Sequence, residues 1–159
     1  FVSGKVPLSV YCVEKNPVGS WYKHGASAHA LFDFSDDVVF SYRGSWCAEG
    51  RRTSWESEWR LTGSKGMLTW DGDETFDASV AGNEPGLLHG FTPIEVPGPR
   101  HEEETHGHAS VIASFIEAIR TGKLPETASQ DNIRSLAMVL GAIESAKTGR
   151  RVDISAQGQ

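Results

Sequence analysis

Two apolar stripes at helical spacing near the C-terminus constrain this chain more than any other feature. Ile112, Phe115, Ile116 and Ile119 recur on one helical face, and Ile133, Leu136, Ala137, Leu140 and Ile143 repeat the pattern. Gly122 and Gly149 each follow a last turn, where a left-handed residue is needed. Pro125 keeps the first helix from resuming. The region from His108 to Ile154 therefore predicts two amphipathic helices joined by a turn. The stripes predict that Ile112, Phe115, Ile119, Leu136, Leu140 and Ile143 pack these helices onto one face of a sheet.

Upstream the apolar period changes to two. Leu8 to Val13 reads as a strand. Ala26, Ala28, Ala30, Phe32 and Phe34 alternate with Ser27, His29, Leu31 and Asp33, a half-buried pattern. Ser35-Asp36-Asp37 supplies a turn, after which Val38, Phe40 and Tyr42 form the second arm of a hairpin. Trp55, Ser57, Trp59 and Leu61 are expected on one strand face, with Glu56, Glu58 and Arg60 on the other. Gly63-Ser64-Lys65-Gly66 then turns the chain into Met67–Trp70, and Asp71-Gly72 marks another tight turn. Phe76–Val80 and Phe91–Val96 are weaker strands. Strands first and helices last is an α+β pattern. The expected architecture is an open, mainly antiparallel β-sheet with two C-terminal helices on one face, in a single domain spanning residues 1–159. The other face then needs a cover, and a homo-oligomer formed through it, with Trp55 and Trp59 as candidate contacts, is the natural solution.

Composition narrows the class. With 15 basic and 21 acidic residues the formal charge is −6, which disfavours a nucleic-acid partner. No apolar run approaches a membrane span, and no charged-then-apolar leader opens the sequence. Cys12 and Cys47 are widely spaced and fit buried thiols in a reducing, cytoplasmic setting. The opening Phe1-Val-Ser-Gly enters a strand without an initiator Met, and the chain reads as a fragment of a longer protein.

The wording of the C-terminal region carries a resemblance. Gly122-Lys123-Leu124-Pro125, Asp131-Asn132 and Ser145-Ala146-Lys147-Thr148-Gly149-Arg150-Arg151-Val152 occur in that order, downstream of Trp59-Arg60-Leu61-Thr62-Gly63-Ser64-Lys65-Gly66-Met67-Leu68-Thr69-Trp70. Together these phrases resemble the C-terminal domain of the glucose-fructose oxidoreductase / inositol dehydrogenase / rhizopine-catabolism (Gfo/Idh/MocA) family. The resemblance implies a longer two-domain protein whose N-terminal Rossmann domain is absent from this chain. It implies NAD or NADP as cofactor of the intact enzyme, a sugar or cyclitol secondary alcohol as substrate, and subunits paired through their sheets. The catalytic groups of such an enzyme would lie upstream of Phe1, so no catalytic, cofactor or metal residue is assigned here.

Within the chain itself, no Gly-x-Gly-x-x-Gly joins a strand to a helix, so no dinucleotide site is visible. Glu14-Lys15-Asn16-Pro17 is close to a family catalytic phrase, but Asn16 interrupts it, and a strand-end turn is the better reading. His101, His106 and His108, with Glu102–Glu104, lack the spacing that zinc sites favour; acidic residues ahead of a helix are explained by its dipole. The most chemically loaded stretch runs from Arg43 to Trp55. There Trp46 offers a face for sugar C–H groups, and Arg43 and Arg52 offer donors for hydroxyls. Arg43, Trp46 and Arg52 are the candidate substrate contacts. Two other classes compete: a stand-alone carbohydrate-binding module, which would explain five Trp, and a metal-dependent hydrolase built on the late His residues.

Overall fold

The computed structural model describes residues 2–85, 89–97, 107–125 and 127–154. Its elements are β1 (Pro7–Lys15), β2 (Ser27–Phe34), β3 (Val39–Ser45), β4 (Trp59–Gly63), β5 (Gly66–Trp70), β6 (Phe76–Ala81), β7 (Phe91–Ile94), α1 (Gly107–Thr121), α2 (Ser129–Thr148) and β8 (Val152–Asp153). The α+β class is as expected. The strands, however, are divided between two antiparallel four-stranded sheets, ordered β3-β2-β1-β8 and β4-β5-β6-β7. They fall in two compact units, one holding residues 1–49 and 106–159 and the other residues 50–105.

In the first unit, alternation decides what is buried. Val10 and Cys12 of β1 and Ala30 and Phe32 of β2 share one sheet face, and all four are buried. Phe40 of β3 stacks on Phe32 with ring centroids 5.7 Å apart. The β2–β3 turn places Asp36 and Asp37 in the left-handed region, each at φ 58°, a conformation that Asp tolerates better than most residues.

Helix α2 covers this face, but with a different side than the stripe predicts. Its buried residues are Ala137, Gly141 and Ser145, flanked by half-buried Met138, Ala142 and Ala146. The large residues point elsewhere: Leu136 is 55 % exposed, Leu140 51 % and Ile143 43 %. In α1, Ile112 is 58 % exposed, Phe115 60 % and Ile119 70 %, and no residue of that helix is buried. The predicted helix core is thus corrected. Small side chains let α2 lie close to the strands, and a Cβ added at Gly141 would sit 3.2 Å from both Val10 Cγ1 and Ile154 Cγ1.

The helix closes as its sequence requires. Gly149 takes the left-handed cap at φ 67° and donates its N–H to Ser145 O. That cap turns the chain into β8, a two-residue strand beside β1 that no sequence pattern marks. Ile154 follows, 2 % exposed, and completes the core under α2.

The second unit is a meander. Trp59, Trp70 and Phe76 form one cross-strand row, and Leu61, Leu68, Ala78 and Ile94 form the next on the same face. Arg60, Thr69 and Asp77 occupy the opposite face. Trp70 and Phe76 stack at 5.6 Å with planes 2° apart, a favourable cross-strand pair. Trp55 and Ser57 do not extend β4 as expected. Ser57 adopts φ 69° and the strand begins only at Trp59, so Trp55 lies in the preceding connection.

Candidate functional site

Arg43, Trp46 and Arg52 fall in different places. Arg43 lies on β3 opposite His29, on the sheet face away from α2, and is exposed. Trp46 stands just beyond β3, where its backbone N–H donates to Ala26 O at 2.8 Å. The residue is 66 % exposed. Arg52 is exposed and belongs to the second compact unit. Arg43 and Trp46 are therefore brought to one end of the first sheet, and Arg52 is not part of that unit.

That sheet end gathers further groups. The row Lys15–Ser27–Ser45 is its last ladder row, and two connections leave from it. Ala26 N–H donates to Lys15 O, so the β1–β2 loop is closed by backbone bonds at its base. The loop carries Trp21, 80 % exposed, and Tyr22, whose ring centroid is 4.6 Å from that of Trp21. Sequence reasoning misses both, because an irregular loop has no period to mark them. The one signal that could have found them is a pair of adjacent aromatics between Gly19-Ser20 and Lys23-His24. Glu14-Lys15-Asn16-Pro17 is the expected strand end and turn, with Ser20 N–H donating to Pro17 O.

The two thiols differ sharply. Cys12 is buried, and that burial, reinforced by the negative charge of Glu14, holds its pKa above the ordinary thiol value. Because the native thiol keeps its proton to higher pH than an unfolded one, this contribution to stability is full below the ordinary thiol pKa. It declines as pH rises past that value. Cys47 is half-buried, with its Sγ 3.6 Å from Ser45 Oγ. Iodoacetamide should label Cys47 in the folded chain and Cys12 only after denaturation, a difference readable by peptide mass spectrometry. Equal labelling rates would contradict the buried position of Cys12.

Metal chemistry has little to work with in the described residues, where no group of three or more His, Cys, Asp or Glu side chains converges. His108 is exposed in the first turn of α1, while His101 and His106 lie outside the described residues. Asp71 serves the backbone of its own turn, where its Oδ1 accepts the N–H groups of Asp73 and Thr75. Those bonds hold its carboxyl pKa below the usual carboxylate value. Among the described residues no helix is long and apolar enough to cross a membrane.

No protein-family model matches the sequence, and no curated protein sequence matches it. The fold does have relatives. An oxidoreductase from Agrobacterium radiobacter in complex with NAD+, L-tartaric acid and magnesium superposes with a TM-score of 0.70 at 22 % identity, over 97 % of this chain and 45 % of that one. Aldose-aldose oxidoreductase from Caulobacter crescentus, complexed with glycerol, gives 0.68 at 18 % identity, over 96 % of this chain and 42 % of that one. Levoglucosan dehydrogenase in complex with NADH and L-sorbose gives 0.68 at 18 % identity, over 94 % and 45 % respectively. The chain spans less than half the length of these proteins and shares its fold with that part of them.

Proposed function

We propose that this chain is the substrate-side, subunit-contact part of a nicotinamide-dependent oxidoreductase acting on a secondary alcohol of a sugar or cyclitol. One observation carries the reading. Almost all of the chain shares its fold with part of oxidoreductases whose solved complexes hold NAD+ or NADH. The ordered C-terminal phrases from Gly122 to Val152 agree with it. In this reaction class the alcohol carbon gives a hydride to the nicotinamide and the hydroxyl gives up its proton, leaving a ketone.

The chain's own residues do not fit the nicotinamide cofactor. A pyrophosphate site needs a parallel strand leading through a glycine-rich turn into a helix. Both sheets here are antiparallel, and the sequence carries no such glycine fingerprint. In this reading the cofactor and the proton-transfer groups are held by the remainder of a longer, cytoplasmic polypeptide. Arg43 and Trp46 are proposed as contacts to the polyhydroxylated substrate, the indole for C–H groups and the guanidinium for hydroxyl oxygens; Arg52, in the other unit, is proposed separately as a donor to hydroxyl oxygens. Calorimetry of the 159-residue chain with NAD and with NADP should show no micromolar binding. Binding at that level would overturn this division of labour.

A second reading, a carbohydrate-binding module acting by itself, is favoured by the exposure of Trp21, Trp46 and Trp55. The coding sequence upstream of Phe1 separates the two. A strand–Gly-x-Gly-x-x-Gly–helix followed by Glu-Lys-Pro supports the oxidoreductase, and an unrelated upstream sequence supports the module.

We also propose self-association through a sheet. The apolar face of the second unit, which carries the Trp59–Trp70–Phe76 row, leaves Leu61 38 %, Val80 39 % and Ile94 47 % exposed. An isologous contact there should bury more than ~1,000 Å² to be stable. Sedimentation should show a dimer or larger species at high micromolar concentration, and Ile94→Lys should shift it towards monomer. A monomeric unmodified chain would count decisively against the contact.

A further inference from the structure

We propose that the β1–β2 loop is itself a ligand-binding element, with Trp21 as the stacking residue for a polyhydroxylated ring. The inference rests on the reading that this chain meets a sugar or cyclitol, and it adds a residue outside the Arg43–Arg52 stretch. The loop is held by its own hydrogen bonds. Ser20 N–H donates to Pro17 O at 3.0 Å, Tyr22 N–H to Ser20 Oγ at 3.1 Å, and Asn16 Nδ2 to Tyr22 O at 2.8 Å. The backbone on both sides of Trp21 is thereby tied down while the residue stays 80 % exposed. The Tyr22 ring lies beside the indole, with centroids 4.6 Å apart and planes tilted by 39°. Apolar burial favours turning so large a ring inward, yet in this loop the residue stays exposed.

The surroundings supply the remaining chemistry. Trp46 leaves the same sheet end, joined to the loop's base through Ala26. The Glu14 side chain folds over Gly25, where an added Cβ would lie 2.5 Å from Oε1. Lys23 and His24 are exposed in the same loop. Aromatic faces suit the C–H surface of a pyranose or cyclitol ring, and a carboxylate accepts from paired hydroxyls. A short acyclic polyol has the hydroxyls but no ring face to stack.

The test uses the ¹⁵N-labelled 159-residue chain, whose five Trp side chains each give an indole N–H resonance. myo-Inositol and D-glucose are titrated, with glycerol as the acyclic control. Expected is a saturable shift of the Trp21 indole with both rings and none with glycerol. Trp21→Ala should weaken binding about tenfold or more, and Trp21→Phe, which keeps an aromatic face, should retain most of it. Saturable shifts confined to Trp46, Arg43 or Arg52, with Trp21→Ala binding unchanged, would overturn the inference and leave the oxidoreductase reading standing. No saturable shift at any residue would remove the loop's role, while the upstream coding sequence would still decide the oxidoreductase reading separately.

Discussion

Phe32→Ala should destabilise the chain by about 3–5 kcal/mol, whereas Leu140→Ala should cost less than ~1 kcal/mol. Phe32 is 6 % exposed, faces the Ala137–Gly141–Ser145 seam from β2 and stacks on Phe40. Truncating it removes a buried ring from the core under α2 and opens a cavity that small neighbours cannot fill. Leu140 is 51 % exposed, and its truncation leaves the seam intact. The pair is read from denaturant midpoints, with an unchanged slope confirming that stability alone has moved. Equal costs at the two positions would mean that the large stripe of α2 is packed in this chain, as the apolar periodicity alone suggests.

That contrast marks where the sequence is legible. Periodicity shows which residues share a helical face, but it does not say which of two apolar faces meets the sheet. Helix α2 has both a small face, Ala137, Gly141 and Ser145, and a large one, Leu136, Leu140 and Ile143. Hydrophobic size points to the second, while close approach to a flat sheet selects the first. The alternating strands are easier, since Ala30 and Phe32 can turn inward only by sending His29 and Leu31 outward. Asp36-Asp37 and Gly149 are legible because few residues accept a left-handed backbone. Ser57 does so against its type, at φ 69°, and for that reason β4 starts later than its alternation suggests.

The candidate site is less legible than the fold. Trp46 and Arg43 can be picked for their chemistry, and the hairpin that brings them to one sheet end is visible in the alternation. Arg52 joins them by sequence proximity, although it belongs to the other compact unit. Trp21 carries no pattern at all. Its significance comes from three hydrogen bonds made by its neighbours, and loop geometry of that kind is not written in any period. The division into two sheets is likewise hidden, because short antiparallel strands read the same whichever sheet they join.

Ser145→Ala should cost about 2–3 kcal/mol, a large effect for the loss of one hydroxyl. Ser145 is fully buried and forms a bridge: its Oγ accepts Cys12 N–H at 2.8 Å and donates to Arg150 O at 2.6 Å. The β1–β8 register pairs Ser9 with Asp153 and Val10 with Val152, so continuing it would place Arg150 opposite Cys12. At that step the chain is still leaving the Gly149 cap, and the serine hydroxyl takes the place of a direct ladder bond between the two backbones. Alanine would leave the Cys12 N–H without its protein acceptor, and a buried unpaired donor is more costly than the average hydrogen bond is stabilising. Hydrogen exchange gives the specific readout. The Cys12 amide should exchange much faster in Ser145→Ala, while the amides paired between β1 and β2 slow or quicken only with global stability. If Cys12 exchange and the unfolding midpoint both stay unchanged, the hydroxyl is not what joins helix, cap and sheet, and the Ser-Ala-x-x-Gly-Arg phrase needs another explanation.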